Sequence, residues 1–276
     1  MADASPLRVM LLQEGDLPGM RSLESMLGQR LRTESGVLLL SSSSRPEQAD
    51  LLVAIGKQAA ASVAGTVRPV LNIQLAADVP QLRSTKRSAF LYIEQPAARQ
   101  LALIRAALPQ VRTVGILLSE PRADIARLRR QFIDAGIAVE VEQVEDDAEL
   151  APRLQSLLRR SDVLLAAPQA GIYRSDTIRN ILLETYRQRV PMIGLSPNFV
   201  RAGALCAVYS TPEQIAEQAA AIIGDYARTR RLPADQYPLR FEVAVNFQVA
   251  HSLGIPMKGA EQLQHQMRRG SEEVRH

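Results

Sequence analysis

Polar residues gather directly behind short apolar runs along this chain. The run Asp162–Ala167 stops at Pro168-Gln169-Ala170-Gly171, with Tyr173 just beyond, and Met192–Leu195 stops at Ser196-Pro197-Asn198. Earlier runs end at Gln13 and Glu14, at the serine tract that holds Ser41 and Ser42, at Gly56-Lys57-Gln58, and at Gln74. A further one ends at Ser119 and Glu120. Hydroxyls, amides and backbone N–H groups in this mixture suit hydrogen bonding to a small polar molecule. A helix that starts after Gly56 would offer free N–H groups to a carboxylate, and Lys57 would add a point charge. Each residue also has a structural reading. The serines are either ligand contacts or an exposed turn, and Lys57 is either a ligand charge or a solvated side chain. Tyr173 either stacks on a ligand or packs on the following helix, and Asn198 either contacts a ligand or caps its own turn.

Other chemistries lack their signatures. There is no G-x-x-x-x-G-K-[ST] phosphate loop, no G-x-G-x-x-G and no G-x-S-x-G nucleophile elbow. The histidines are His251, His265 and His276, without H-E-x-x-H or a second cysteine, so neither a metal nor a cofactor is expected. Cys206 sits in an apolar run and reads as a small core residue rather than a nucleophile. The net charge is +4, with arginine pairs such as Arg129-Arg130 near helix ends. No aromatics interleave with them to stack on bases, so nucleic acid is not the expected partner. Trp is absent, which leaves Tyr92, Tyr173, Phe199 and Tyr209 as candidate stacking walls.

The elements that would hold these loops alternate. Strands are predicted at Leu7–Leu12, Val37–Leu40, Asp50–Ile55, Val70–Ile73 and Phe90–Ile93, with helices at Gly19–Thr33 and Ala59–Ala64 between them. The pattern restarts near Glu94–Pro96. Helices are predicted at Pro96–Leu108, Asp124–Ala135 and Glu149–Arg160, and strands at Thr113–Leu118, Val139–Val144 and Asp162–Ala167. Ser175 is the expected N-cap of a helix bearing Ile178, Ile181, Leu182 and Thr185. Gly136 is the expected left-handed cap after its helix. Ser210-Thr211-Pro212-Glu213 reads as a capping box for a helix from Thr211 to Arg228. The tail from Lys258 is expected to fray or to form an exposed helix. This is an α/β chain with parallel sheets, in which ligands bind beyond the carboxyl ends of the strands. No run approaches the ~18 apolar residues of a membrane span.

The segments DLLVAIGKQAAASV, RPVLNIQL, ALIRAALPQVRTVGILLSEP, TIRNILLETYRQRVPMIGLSPNFVRAGALCAVYS and YPLRFEVAVNFQVAHSLGI resemble bacterial ABC transporter substrate-binding proteins. The resemblance is to the type I periplasmic-binding fold, including the tryptophan/tyrosine-type members, and runs from about Leu7 to Ile255. It implies two Rossmann-like lobes joined by three crossings, with the ligand in the cleft between them. Lobe 1 would be residues 1–93 and 210–232, and lobe 2 residues 94–209 and 233–276. Tyr209 and Ser210, at a crossing, would serve both ligand and hinge. The implied role is non-catalytic binding of a small polar solute, amino-acid-like or another small metabolite, with a membrane permease as partner. The alternative is a sensing subunit that signals to a receptor kinase or another protein. An enzyme on a doubly wound sheet is the third reading; it needs a paired acid and base, for which only Glu14 and Glu120 are well placed, and nothing in the sequence brings them together. The first lobe is shorter than the family pattern. The N-terminus carries no export signal, which implies either a cytoplasmic protein or a trimmed periplasmic or cell-envelope one.

Overall fold

The computed structural model describes residues 5–13, 18–41, 44–76, 87–122, 124–169 and 171–273. The chain begins with β1 (Leu7–Gln13), α1 (Pro18–Thr33), β2 (Val37–Leu39), β3 (Leu51–Ile55), α2 (Lys57–Ser62), β4 (Val70–Leu75) and β5 (Ser88–Tyr92). It continues through α3 (Ala97–Ala107), β6 (Thr113–Leu118), α4 (Ile125–Asp134), β7 (Ala138–Gln143), α5 (Asp147–Leu158) and β8 (Val163–Leu165). Then come α6 (Ile178–Arg187), β9 (Met192–Gly194), α7 (Pro197–Ala202), β10 (Cys206–Tyr209), α8 (Pro212–Thr229), β11 (Glu242–Val245), α9 (Phe247–Ser252) and α10 (Ala260–Glu273). Contacts divide the chain into two compact units, Met1–Glu94 with Ser210–Phe241, and Gln95–Tyr209 with Glu242–His276.

The first unit is built on a parallel sheet in the order β2-β1-β3-β4-β5. All five residues of β3 are buried, as a strand covered on both faces requires. One face packs on Leu23, Leu27 and Leu31 of α1, a helical i, i+4 stripe, and on Ile215, Ala219 and Ile223 of α8. The other face is covered by Ala59, Ala60 and Val63, in and just after α2. Residues 233–241 belong to this unit and not to the second. The Gln218 side chain on α8 accepts from Leu239 N and donates to Tyr237 O, and Tyr92 N donates to Gln236 O.

The second unit has the order β11-β10-β9-β8-β6-β7, parallel except for β11. Leu154, Leu157 and Leu158 of α5 and Ile181 and Leu182 of α6 form part of one core. Of the two expectations for the tail, the described residues show the helix, from Ala260 to Glu273. α10 packs on α3 and β11, and its Leu263 and Met267 are buried one turn apart. Two caps fall elsewhere than expected. α6 starts after Thr177 rather than after Ser175; the Thr177 hydroxyl makes no cap bond to the helix but accepts from Arg174 N and donates to Ile172 O, which closes a turn over residues 174–177. Thr211, not Ser210, is the N-cap of α8. Pro212 at the first helical position holds Thr211 extended, and the box closes with Gln214. Gly136 adopts φ +76 after α4, the left-handed cap its position calls for.

Candidate functional site

In each sheet the first strand of its unit lies between the second and third, so the connections wind off in opposite directions on either side of it. Open α/β sheets take ligands in the crevice beyond the carboxyl ends at such a point. In the first sheet it lies between β1 and β3, and in the second between β6 and β8.

The second unit's crevice is crossed by Gln169, which is only 5% exposed. Its Oε1 accepts from Ser119 N at 2.9 Å, Ser119 Oγ at 2.8 Å and Glu120 N at 3.0 Å. The loop after β8 is thereby tied to the loop after β6. Gly171 permits the approach, since a Cβ there would lie 2.7 Å from Ser119 Oγ. The sequence-derived trio Ser119, Glu120 and Gln169 is therefore brought together, with Glu120 exposed at the rim. Two residues on from Glu120 is a residue that the sequence reading missed. Arg122 is 9% exposed and holds Asp124 in a two-point pair, Nε to Oδ1 at 2.9 Å and Nη2 to Oδ2 at 2.7 Å. The S-E-P-R-A-D spacing was the available signal, an arginine and an aspartate two residues apart in a strand-end loop.

Tyr173 packs edge-on against Phe199, ring centroids 6.0 Å apart at 60°. Its hydroxyl oxygen is buried without a hydrogen bond of ordinary geometry. Burial pushes the phenol's pKa up, and the nearby Ala167 N–H opposes this only weakly. Close packing at the end of β9 requires Gly194, whose Cβ would lie 2.5 Å from Phe199 Cβ. Ser196 is the half-buried N-cap residue of α7 but makes no side-chain cap bond. Asn198 is exposed and accepts from Arg201 rather than capping its own turn. Tyr209 stands at the end of β10, opposite Glu242 of β11, and donates to Glu242 Oε2 at 3.0 Å. Burial first, and then the Glu242 carboxylate, raise its pKa to about 12. Its bond is thus made within the β10–β11 ladder.

In the first unit, Gln13 is the last residue of β1 rather than part of a loop. Glu14 and Ser42 lie outside the described residues. Ser41 is exposed, with its Oγ 3.3 Å from Ser44 Oγ. Gly56 adopts φ +87, and its N–H bonds Ile73 O at 2.9 Å, which sets it beside the end of β4. α2 begins at Lys57, two residues earlier than expected, with Lys57 and Gln58 exposed in its first turn. Gln74 does not end β4. It sits inside the strand at a bulge between Ile73 and Leu75, with φ +63. A left-handed glutamine is uncommon and strained, and here it redirects a half-buried amide at the strand end. Asn72 lies two residues before it, 1% exposed, with no partner for its Nδ2.

Two parallel α/β units with hydrogen-bonding loops at their strand ends define the type I periplasmic-binding-protein fold. A family model described as ABC transporter substrate binding protein matches residues 44–255. The chain belongs to that family, a non-enzymatic class, and its function is solute binding for an ABC transporter. Solved structures agree on the fold. A conserved domain protein from Vibrio cholerae is 18% identical with a TM-score of 0.67, covering 94% of this chain and 98% of its own. An ABC domain from Streptococcus pneumonia in complex with L-Trp is 17% identical, TM-score 0.65, with the same coverages of 94% and 98%. A substrate-binding protein with adhesive properties from Clostridium difficile, in its ligand-free open form, is 14% identical, TM-score 0.69, covering 94% of this chain and 97% of its own. A search of curated proteins found no match. Among the described residues no helix is long and apolar enough to cross a membrane.

Proposed function

We propose that the carboxyl-end loops furnish the ligand contacts, and that the ligand is a small polar solute of the amino-acid type. The observation that carries this reading is the Gln169 knot. It spends a buried amide oxygen on organising the loop that presents Ser119 and Glu120. Preorganised polar groups at a switch point are what a solute site needs. Lys57 and Gln58 after β3, Gln74 at its bulge, and Ser196 after β9 are the further contacts in this proposal. The L-Trp complex of the streptococcal relative supports an amino-acid-type ligand. The loaded protein would be read by a permease in the membrane, which places this chain on the outer side of that membrane or in the cell envelope.

The test is isothermal titration of solutes with the wild type, Lys57→Ala and Glu120→Ala. Both side chains are exposed, so truncation leaves the fold intact. A charged hydrogen bond lost from the site should weaken binding by roughly tenfold or more. Unchanged affinity in both variants would remove these loops from the site. Binding to a receptor ectodomain in place of a permease would move the protein to the sensing role.

A further inference from the structure

The second unit carries another cavity, at the opposite end of its sheet. It is an open groove of about 710 Å³ beside the amino-terminal ends of β8 and β9, where Asp162 and Pro191 border it. Its floor is apolar, formed by Ala107, Leu108 and Val111 at the end of α3, all under one-tenth exposed. Its wall is the segment between α9 and α10, where Leu253, Ile255 and Met257 stand half-buried. Gly254 at φ +70 turns the chain so that Ile255 N returns to Ala250 O, which fixes this wall.

The charges on the lip are uneven. Arg189 follows α6 in the left-handed position of a helix stop, φ +56, with Val190 N bonded to Thr185 O. Glycine is the usual residue there, and arginine pays conformational strain. Among the described residues its exposed guanidinium makes no hydrogen bond or ion pair. Lys258 Nζ donates one bond, to Gln266 Oε1 at 2.8 Å, and retains two further protons. One carboxylate, Asp162, also borders the groove; its Oδ2 accepts from Arg112 N and Thr113 N, each at 2.8 Å, so the two cations leave the lip with a net positive charge. An apolar trough with two available cations at its lip is complementary to one kind of molecule.

We propose that this groove binds an amphipathic anion, an unbranched acyl chain ending in a carboxylate. The chain lies along Leu108, Val111 and Ile255, and the carboxylate meets the Arg189 fork, with Lys258 beside it. The volume is within the range of about 300–1,000 Å³ typical of small-molecule sites. The site lies at the end of its sheet opposite the second unit's strand-end loops and does not depend on the identity of the transported solute.

Isothermal titration with decanoate and with 1-decanol tests the assignment. One saturable site for decanoate is expected, with the alcohol at least about fivefold weaker because it lacks the charge. Arg189→Gln should bring decanoate most of the way down to the alcohol's affinity, with Lys258 holding the remainder, and leave the alcohol unchanged. Ile255→Glu, on the half-buried wall, should abolish both. A photoactivatable fatty acid should label peptides containing residues 106–111 and 253–258. This mapping stands even if the Ile255 variant folds poorly. No saturable binding, indifference to Arg189→Gln, or labelling confined to other peptides would overturn the proposal.

Discussion

Replacing Gln169 by leucine deletes the shared acceptor of three hydrogen bonds and leaves the loop after β6 untied. Each such bond contributes a net 0.5–1.5 kcal/mol, about 1.5–4.5 kcal/mol together. Glu120 is exposed, so water can replace its N–H partner. Ser119 is half-buried, and its N–H loses the most. The expected loss is therefore roughly 2–3 kcal/mol, or about 4–12 °C in the melting of a unit of this size. Gln169→Glu keeps an acceptor for the same three donors but puts a charge on a position only 5% exposed, so it is expected to fall between the leucine variant and the wild type. Urea titration followed by far-UV circular dichroism reads both variants. The reasoning fails if the leucine variant unfolds at the wild-type midpoint.

Gly194→Ala places a methyl 2.5 Å from Phe199 Cβ. It should cost about 1–3 kcal/mol by overpacking, seen as a lower urea midpoint and an altered Tyr173–Phe199 near-ultraviolet signal. Tyr209 has a folded pKa raised from 10.0 to about 12, so its contribution to stability is complete below pH 10 and is lost as pH rises toward 12. Tyr209→Phe should flatten that part of the alkaline stability profile measured by chemical unfolding, and an unchanged slope would count against the Glu242 bond. Cys206 is fully buried and its thiol is pushed up to about 12 by burial. The native protein should resist a thiol-specific colorimetric reagent at pH 8 and react with one equivalent once unfolded.

Much of the fold was legible because its strands are written plainly. LLVAI in β3 and TVGILL in β6 are apolar runs bounded by turn residues, and alternation with helices implied parallel sheets. What escaped the sequence was decided by interactions distant in the chain or by choices among near-equal local options. Ser175 and Thr177 are both good cap residues by type, and the helix starts after Thr177 without a side-chain cap bond from it. The left-handed Gln74 had no sequence signal, since glutamine does not favour that conformation. The tail from Lys258 reads as polar, yet Leu263 and Met267 suffice to dock α10 once α3 and β11 present a surface. For the candidate site, the residue types behind each strand were visible in order. That Gln169 would turn inward to organise Ser119, rather than outward, depended on Gly171 allowing the approach. Arg122 was overlooked because a loop arginine ordinarily faces solvent.

The central claim is solute binding, and thermal unfolding of ligand-free protein against a panel of amino acids, small carboxylates, sugars and nucleosides tests it most directly. One chemical class should raise the melting temperature saturably. The gain at 100 times the dissociation constant should be about 2.7 kcal/mol, several degrees for this protein. The amino-acid class is the expected hit. A response confined to another class would keep the binding role and change the solute. A flat response across the whole panel would contradict the account.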